Sequence, residues 1–298
     1  VNRSGPELVI VTVAYHSQEP LERLAADVAR QTRGPERWLV VDNAPRSAPL
    51  RICGALQEAG PERIAGNEGA GFGEGCNQAF ERLAADRWTG WVWLLNPDAT
   101  LPETTVLERL INILATLPDR ALVGTAVWSS EGNLEASGGW IDPGLAFRRR
   151  RLTPSHQAAA NPTPLALDWL SGCSLALRPS AHAPAARFDP ALPLYYEDID
   201  LCLRLGAFGA KALWTSAVAI AHQRGNGSGG DPYRRARLTT ISYWRFLQRH
   251  RPLRERVLRG TRLVGKALIR LPVHTRSSLA VLGGLVAAVR NPIDRHPS

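Results

Sequence analysis

Apolar residues in this chain fall into short, nearly unbroken runs, separated by stretches in which they recur at helical spacing. Leu8-Val9-Ile10-Val11-Thr12-Val13-Ala14 is the first run, and its β-branched, non-alternating pattern predicts a strand covered on both faces. Leu21, Leu24 and Val28 then recur as on one helix face. Trp38 to Val41 predicts a second buried strand ending on Asp42-Asn43, followed by a helix over Leu50 to Ala59 and a short strand at Arg63-Ile64-Ala65. A helix over Gly75 to Ala85 precedes a third core strand, Trp91 to Leu95, which Asn96-Pro97-Asp98 stops. Strands alternating with helices predict an α/β domain with a largely parallel sheet.

The second half is less regular. Leu122 to Trp128 predicts a strand, and the Gly- and Pro-containing stretch 138–164, with four consecutive arginines from Arg148 to Arg151, predicts a mobile loop region. A bent strand is expected over Leu167 to Leu177, and a helix with an acidic first turn over Tyr196 to Leu205. A last strand over Ala212 to Ala221 ends on His222. Beyond Gly230 the pattern becomes helical and basic. Leu253, Val257, Thr261, Val264, Leu268 and Leu271 share one face, Pro272 closes that segment, and a second apolar helix is expected over Ser277 to Val289. The boundary near 230 separates an α/β domain, 1–230, from a basic amphipathic helical tail, 231–298.

Composition sharpens this picture. A chain of 298 residues, 44% apolar and 21% charged, can bury a sizeable core and is not globally disordered. The net charge of +9 is uneven: from Arg224 onward there are 16 Lys or Arg against three acids, whereas residues 1–223 are net acidic. Cys53, Cys76, Cys173 and Cys202 form no CxxC pair, which excludes a zinc knuckle or thioredoxin-like site and predicts buried thiols in a reducing cytoplasm. The N-terminus carries no basic-then-apolar signal pattern, and the longest apolar stretch, Leu279 to Val289, is too short to span a bilayer.

Four polar residues stand at strand ends, where open α/β sheets bind ligands: Tyr15, Asp42, Asp98 and His222. A carboxylate there caps the next helix or binds something. Gly69-Ala70-Gly71-Phe72-Gly73-Glu74-Gly75 fails the dinucleotide fingerprint, because Glu74 or Cys76 occupies the third glycine position. Its glycines fit either a turn or close backbone approach around a nucleotide, with Asn67 and Asn77 as polar anchors. Glu197 and Asp198 either cap a helix or place a general base toward a cleft. Asp200 and Arg204, at i,i+4, predict a surface helix pair. Ser171-Gly172-Cys173-Ser174 is no nucleophile elbow.

In order along the chain, Val13-Ala14-Tyr15-His16, Val40-Val41-Asp42-Asn43, the segment Asn67 to Asn77, Leu95-Asn96-Pro97-Asp98-Ala99, Trp169-Leu170-Ser171-Gly172, Phe188-Asp189, Tyr195-Tyr196-Glu197-Asp198-Ile199-Asp200-Leu201, His222 and Ser228 form a set. The set resembles the inverting family 2 glycosyltransferases, in their rhamnosyltransferase-like branch. The resemblance implies a GT-A fold with a mixed, mainly parallel sheet, a nucleotide-sugar-binding half over about 1–120 and an acceptor-binding half over 121–230. It implies donor contacts at Val13, Ala14, Tyr15, Asp42, Asn67, Gly71, Asn77, Asn96 and Asp98, and acceptor contacts at Trp169, Gly172 and Glu197. It further implies that Asp98 and His222 hold a divalent cation, Mg²⁺ or Mn²⁺, and that Asp198 is the catalytic base. Two positions depart from the commoner pattern: Asn96 replaces the first Asp of Asp-x-Asp, and His16 replaces an Asn. The expected partners are a nucleotide-sugar donor, a glycan or lipid-linked glycan acceptor, and a membrane surface met by the basic tail; nucleic acid is not expected, since few aromatics follow Phe246. The expected location is cytoplasmic and peripheral on the inner membrane face. The alternative is a non-catalytic nucleotide-sugar-binding or scaffold protein in which Asn96 marks a degenerate metal site.

Overall fold

A computed structural model describes residues 5–135, 137–141, 149–152, 163–222 and 231–291. Its centre is β1 (Leu8–Ala14), buried along its whole length. Alternate residues of β1 feed two different cores. Val9, Val11 and Val13 pack with Cys76, Ala79 and Phe80 of α3 (Phe72–Ala85), while Leu8, Ile10 and Ala14 pack with Leu21 and Leu24 of α1 (Gln18–Ala29). Period-two alternation sends successive side chains to opposite faces, so an unbroken apolar run requires cover on both.

The large sheet places β3 (Glu62–Ala65), β2 (Arg37–Asp42), β1 and β4 (Trp91–Leu95) side by side, all parallel. It continues through β11 (Ser174–Leu177), β6 (Ala121–Ser129), β12 (Lys211–His222) and β5 (Ala99–Thr100). β11 runs antiparallel to both neighbours, β6 and β12 are parallel, and β5 is antiparallel to β12. Helix α4 (Val106–Leu114), which the sequence pattern above did not single out, covers the α1 side with five buried apolar residues. Helix α5 (Glu197–Ala207) covers the α3 side.

Several expectations are corrected. The helix expected from Leu50 is confined to α2 (Ala55–Ala59). The bent strand over Leu167 to Leu177 is three separate strands: β9 (Leu165–Leu167) lies against β12, β10 (Trp169–Leu170) joins a second small sheet, and β11 returns to the first. The Ser171-Gly172 turn is where the chain changes sheets. Within the presumed mobile stretch, β7 (Gly138–Ile141) and β8 (Arg149–Arg151) pair antiparallel in that small sheet. The remainder of that stretch, 142–148 and 153–162, lies outside the described residues, as does the glycine-rich segment with Ser228. All four cysteines are thiols, but Cys53 is exposed rather than buried.

The tail folds as α6 (Pro232–His250), α7 (Leu253–Arg270) and α8 (Thr275–Arg290). Phe246 of α6 is fully buried in the same cluster as Val9, Phe188 and Ile199. The change of pattern at 230 therefore does not mark an edge of the packed core.

Candidate active site

β1, β2, β4, β6 and β12 point the same way, so Ala14, Asp42, Leu95 and His222 end at one edge of the sheet. Convergence at a carboxyl edge is what the parallel topology dictates. At β1 the backbone of Val13 and Ala14 pairs with β2, and the Ala14 carbonyl also accepts from Asn43 N at 2.8 Å. Tyr15, beyond the strand, is exposed and meets the His16 ring edge-on at 4.4 Å. Asp42 is buried, and its carboxylate accepts Ala44 N (3.0 Å), Leu50 N (2.8 Å) and the Arg63 guanidinium (Nη2 2.7 Å). These bonds pin the loop after β2.

The glycine segment approaches protein backbone and side chains rather than standing open. A Cβ at Gly71 would lie 2.7 Å from Pro193 O, at Gly73 2.7 Å from Phe188 Cβ, and at Gly75 2.7 Å from Val13 Cγ1. Buried Asn43 draws the segment onto β2 by donating to Ala70 O (3.0 Å) and Gly71 O (3.2 Å). Asn77 commits both ends of its amide to Phe188, donating to its carbonyl (2.8 Å) and accepting its N–H (2.9 Å), so this amide has little left for a donor. Asn67 donates to Glu74 Oε1 at 2.7 Å.

Asp98 lies within the turn after β4, which Ala99 N closes by donating to Asn96 O. His222 pairs with Ala99 across β5 and β12, which brings its Nε2 to 3.0 Å from Asp98 Oδ1. Its Nδ1 meets Glu135 Oε2 at 3.0 Å. Burial works against a charged ring, but the hydrogen bonds and charges of Asp98 and Glu135 outweigh it and hold His222 above its ordinary value. A neutral imidazole has one N–H, so two carboxylate contacts require either an imidazolium or a cation replacing the proton on one side. Glu135 on Nδ1 suits the second case, because it fixes the tautomer that leaves Nε2 as a lone pair beside Asp98. Among the described residues no group of three or more His, Cys, Asp or Glu forms a closed metal cage. One carboxylate and one imidazole nitrogen thus fit a divalent cation whose other ligands come from elsewhere.

Asp198 reaches the same edge by a second route. Asn96 N donates to Cys173 O at 3.1 Å, and Gly172 N, one residue earlier, donates to Asp198 Oδ2 at 3.1 Å. Asp198 Oδ1 accepts Ile199 N at 2.8 Å. A Cβ on Gly172 would lie 2.8 Å from the Phe72 ring, so a larger residue here would require that ring to shift. Tyr195 and Tyr196, immediately before α5, both have positive φ (62° and 69°), a strained conformation for bulky residues. Glu197 is 8% exposed, and its Oε2 finds no hydrogen-bond partner among the described residues. Burial first, then the neighbouring Asp198 charge, pushes its pKa up to about 8. Trp169 sits in the core at 4% exposure rather than on an open face.

Asp98 is thus bonded to His222, and Asp198 to Gly172, whose neighbour Cys173 accepts from Asn96, while Asn77 and Trp169 are turned to the core. Sequence reasoning missed Glu135 and the bracket at Asn43. Nothing in the sequence near Glu135 signals that it meets a side chain 87 positions away.

Comparison with known proteins supplies the family. The profile of Glycosyl transferase family 2 matches residues 9–167, more than half of the chain. Along 91% of this chain and 94% of the relative, the sequence is 26% identical to an N-acetylglucosaminyl-diphospho-decaprenol L-rhamnosyltransferase of Mycobacterium tuberculosis. Among solved structures it is similar to GalNAc-T7 with UDP, GalNAc and Mn²⁺ (TM-score 0.59, 14% identity, 83% of this chain but 48% of that one). It is also similar to the mannosyltransferase PcManGT of Pyrobaculum calidifontis in complex with GDP-Man and Mn²⁺ (TM-score 0.52, 14% identity, 98% and 77% covered). With the sheet order and the sequence profile in agreement, the chain belongs to Glycosyl transferase family 2, as a rhamnosyltransferase-like glycosyltransferase on a GT-A fold.

Proposed function

We propose that this enzyme is metal-dependent and inverting, and that it transfers a deoxyhexose from a nucleotide donor to a glycan acceptor in cell-surface polysaccharide synthesis. The favoured donor is dTDP-L-rhamnose, with a UDP-sugar second, and the favoured acceptor is lipid-linked. The M. tuberculosis relative, named for rhamnosyl transfer to a diphospho-decaprenol acceptor, supports that choice. The observation that carries the reading is the meeting of two carboxylate systems at one sheet edge: Asp98 with His222, and Asp198 bonded to Gly172 beside the same turn.

Asp98 and His222 would hold Mg²⁺ or Mn²⁺, which when bound supplies positive charge to the departing diphosphate oxygens. Val13, Ala14 and Tyr15, with the pinned loop at Asp42 and the Gly71 turn, would form the donor side. Asp198 would take the proton of the acceptor hydroxyl as that oxygen bonds to C1 and the C1–O bond to phosphate breaks, leaving its electron pair on the nucleotide. One displacement inverts the anomeric carbon. Each Asp198 oxygen accepts one N–H, which fixes the direction of the carboxylate. Burial and the neighbouring Asp198 charge push Glu197 up to about 8, so it can itself donate a hydrogen bond to an acceptor oxygen.

A panel of nucleotide-sugars, tested with Mn²⁺ for thermal stabilisation and then for transfer, checks the reading. Stabilisation by dTDP-rhamnose, with transfer lost in Asp198→Asn but donor stabilisation retained, is expected. Transfer at the parent rate by Asp198→Asn would remove the base assignment.

A further inference from the structure

Helix α6 lies outside the residues that the sequence pattern tied to chemistry, yet one of its faces lines the segment leading to Asp198. Ser242 Oγ accepts Leu194 N at 3.1 Å, and Arg245 donates to Ala191 O at 2.8 Å. The strained Tyr196 packs at a tilt against Tyr243 (5.5 Å) and Phe246 (5.3 Å), and the His250 ring lies 4.7 Å from Phe246. Ser242, Phe246, Arg249 and His250 recur at the spacing of a single helix face.

At the far end of this face is a buried charge cluster. Asp200, fully buried on α5, accepts Arg204 Nε (2.7 Å), Arg249 Nη1 (2.8 Å) and His250 Nε2 (2.8 Å). Arg249 also bonds Asp189, and Arg204 donates to Ala185 O and Arg187 O. The expected surface pair of Asp200 and Arg204 is therefore an interior junction of three segments: 185–189, α5 and α6. Burial alone would raise Asp200, but the His250 hydrogen bond and the charges of Arg204 and Arg249 prevail and hold it below the ordinary carboxylate value. A buried carboxylate with three charge-assisted partners is geometrically specific, because losing any one strands the others.

We propose that Arg249 and His250 are positioning residues for Asp198: through Asp200, half a helical turn further along α5, they fix the start of that helix and hold the Tyr195-Tyr196 turn in its strained form. This rests on Asp198 being the base. Strain of this kind persists only where surrounding structure over-determines it, and α6 supplies that surrounding. Small displacements of a base are costly to rate, so the effect belongs in kcat rather than in donor affinity.

The test compares the full-length parent with Asp198→Asn, His250→Phe, His250→Gln and Arg249→Lys, using dTDP-rhamnose and a short water-soluble acceptor. His250→Phe keeps a ring against Phe246 but removes the donor to Asp200, whereas His250→Gln keeps a donor. The expected result is a fall of about tenfold or more in kcat for His250→Phe with donor KM held within about twofold, and substantial recovery in His250→Gln. Arg249→Lys, with one donor in place of a fork, is expected to fall between them. A His250→Phe enzyme at parent kcat overturns the proposal, and so does a parallel loss of donor stabilisation and kcat. If Asp198→Asn itself transfers at the parent rate, the fault lies in the base assignment rather than in the clamp.

Discussion

Glu197 and Asp198 are chemical near-twins in adjacent positions, and their surroundings separate them. Asp198 accepts two backbone N–H groups, whereas Glu197 is buried with one oxygen unpaired among the described residues, and burial pushes its pKa up to about 8. The folded value lies above the ordinary 4.5. The folded state therefore binds this proton more tightly, and the resulting stability is fully present below about pH 4.5 and lost as pH rises through about 8. Urea midpoints measured at intervals from pH 5 to 9 should fall across that window in the parent and fall less in Glu197→Gln. An identical decline in both proteins would mean that another group is responsible. At the other carboxylate, Asp98→Asn should weaken stabilisation by donor plus Mn²⁺ while sparing the melting temperature of the ligand-free protein. Chelation by EDTA should reproduce that loss in the parent.

Among the elements, α3 shows most directly how local composition serves packing. Its first turn carries Gly73 and Gly75, poor helix formers, because the helix must lie against Phe188 and Val13 with no room for a Cβ. The same contact lets Asn77 bracket Phe188, and so fixes the segment that runs on to Tyr195. Gly73→Ala gains helix propensity but drives a methyl to 2.7 Å from a Cβ that cannot swing aside. Overpacking of this kind costs about 1–3 kcal/mol, so thermal unfolding should shift downward despite the better helix former. An unchanged or raised melting temperature would show that the α3 contact can relax.

For the whole molecule, the tail has one face packed on the core and another turned outward. The α6 face is consumed by the core, and α8 packs closely on α6, where a Cβ at Gly284 would lie 2.6 Å from Arg237 O. The corner between α7 and α8 is left outward: Ile269 is 82% and Val273 78% exposed, with Lys266, Arg270 and Arg276 close by in sequence and no acid between Arg256 and Ile293. Among the described residues no helix is long and apolar enough to cross a membrane. An aliphatic corner amid cations suits shallow insertion into an anionic lipid surface, where each nearby Lys or Arg contributes about 1 kcal/mol. The protein is expected to sediment with phosphatidylglycerol-containing vesicles, to remain behind with pure phosphatidylcholine, and to be released by high salt. Ile269→Asn with Val273→Asn should reduce that sedimentation without altering transfer to a soluble acceptor. Equal sedimentation with neutral vesicles would argue against the electrostatic part.

Much of this protein was legible in one dimension, because strands covered on both faces must be written as unbroken apolar runs. β1, β2 and β4 stand where those runs stand, with Asp42 and Asp98 just at or past their ends. The alternation with helices dictated a parallel sheet, and parallel strands place their carboxyl ends together. Which groups meet at that edge was decided by tertiary structure. Glu135 reaches His222 through an irregular loop, Asn77 turns to Phe188 instead of a ligand, and a basic helix read as an appendage closes on Asp200. Local periodicity records how much of a residue is covered, whereas the identity of what covers it depends on chain segments far away. Charge alone was silent for the same reason: Arg249 and His250 belong to a basic tail in sequence and are largely covered where they pack on Asp200.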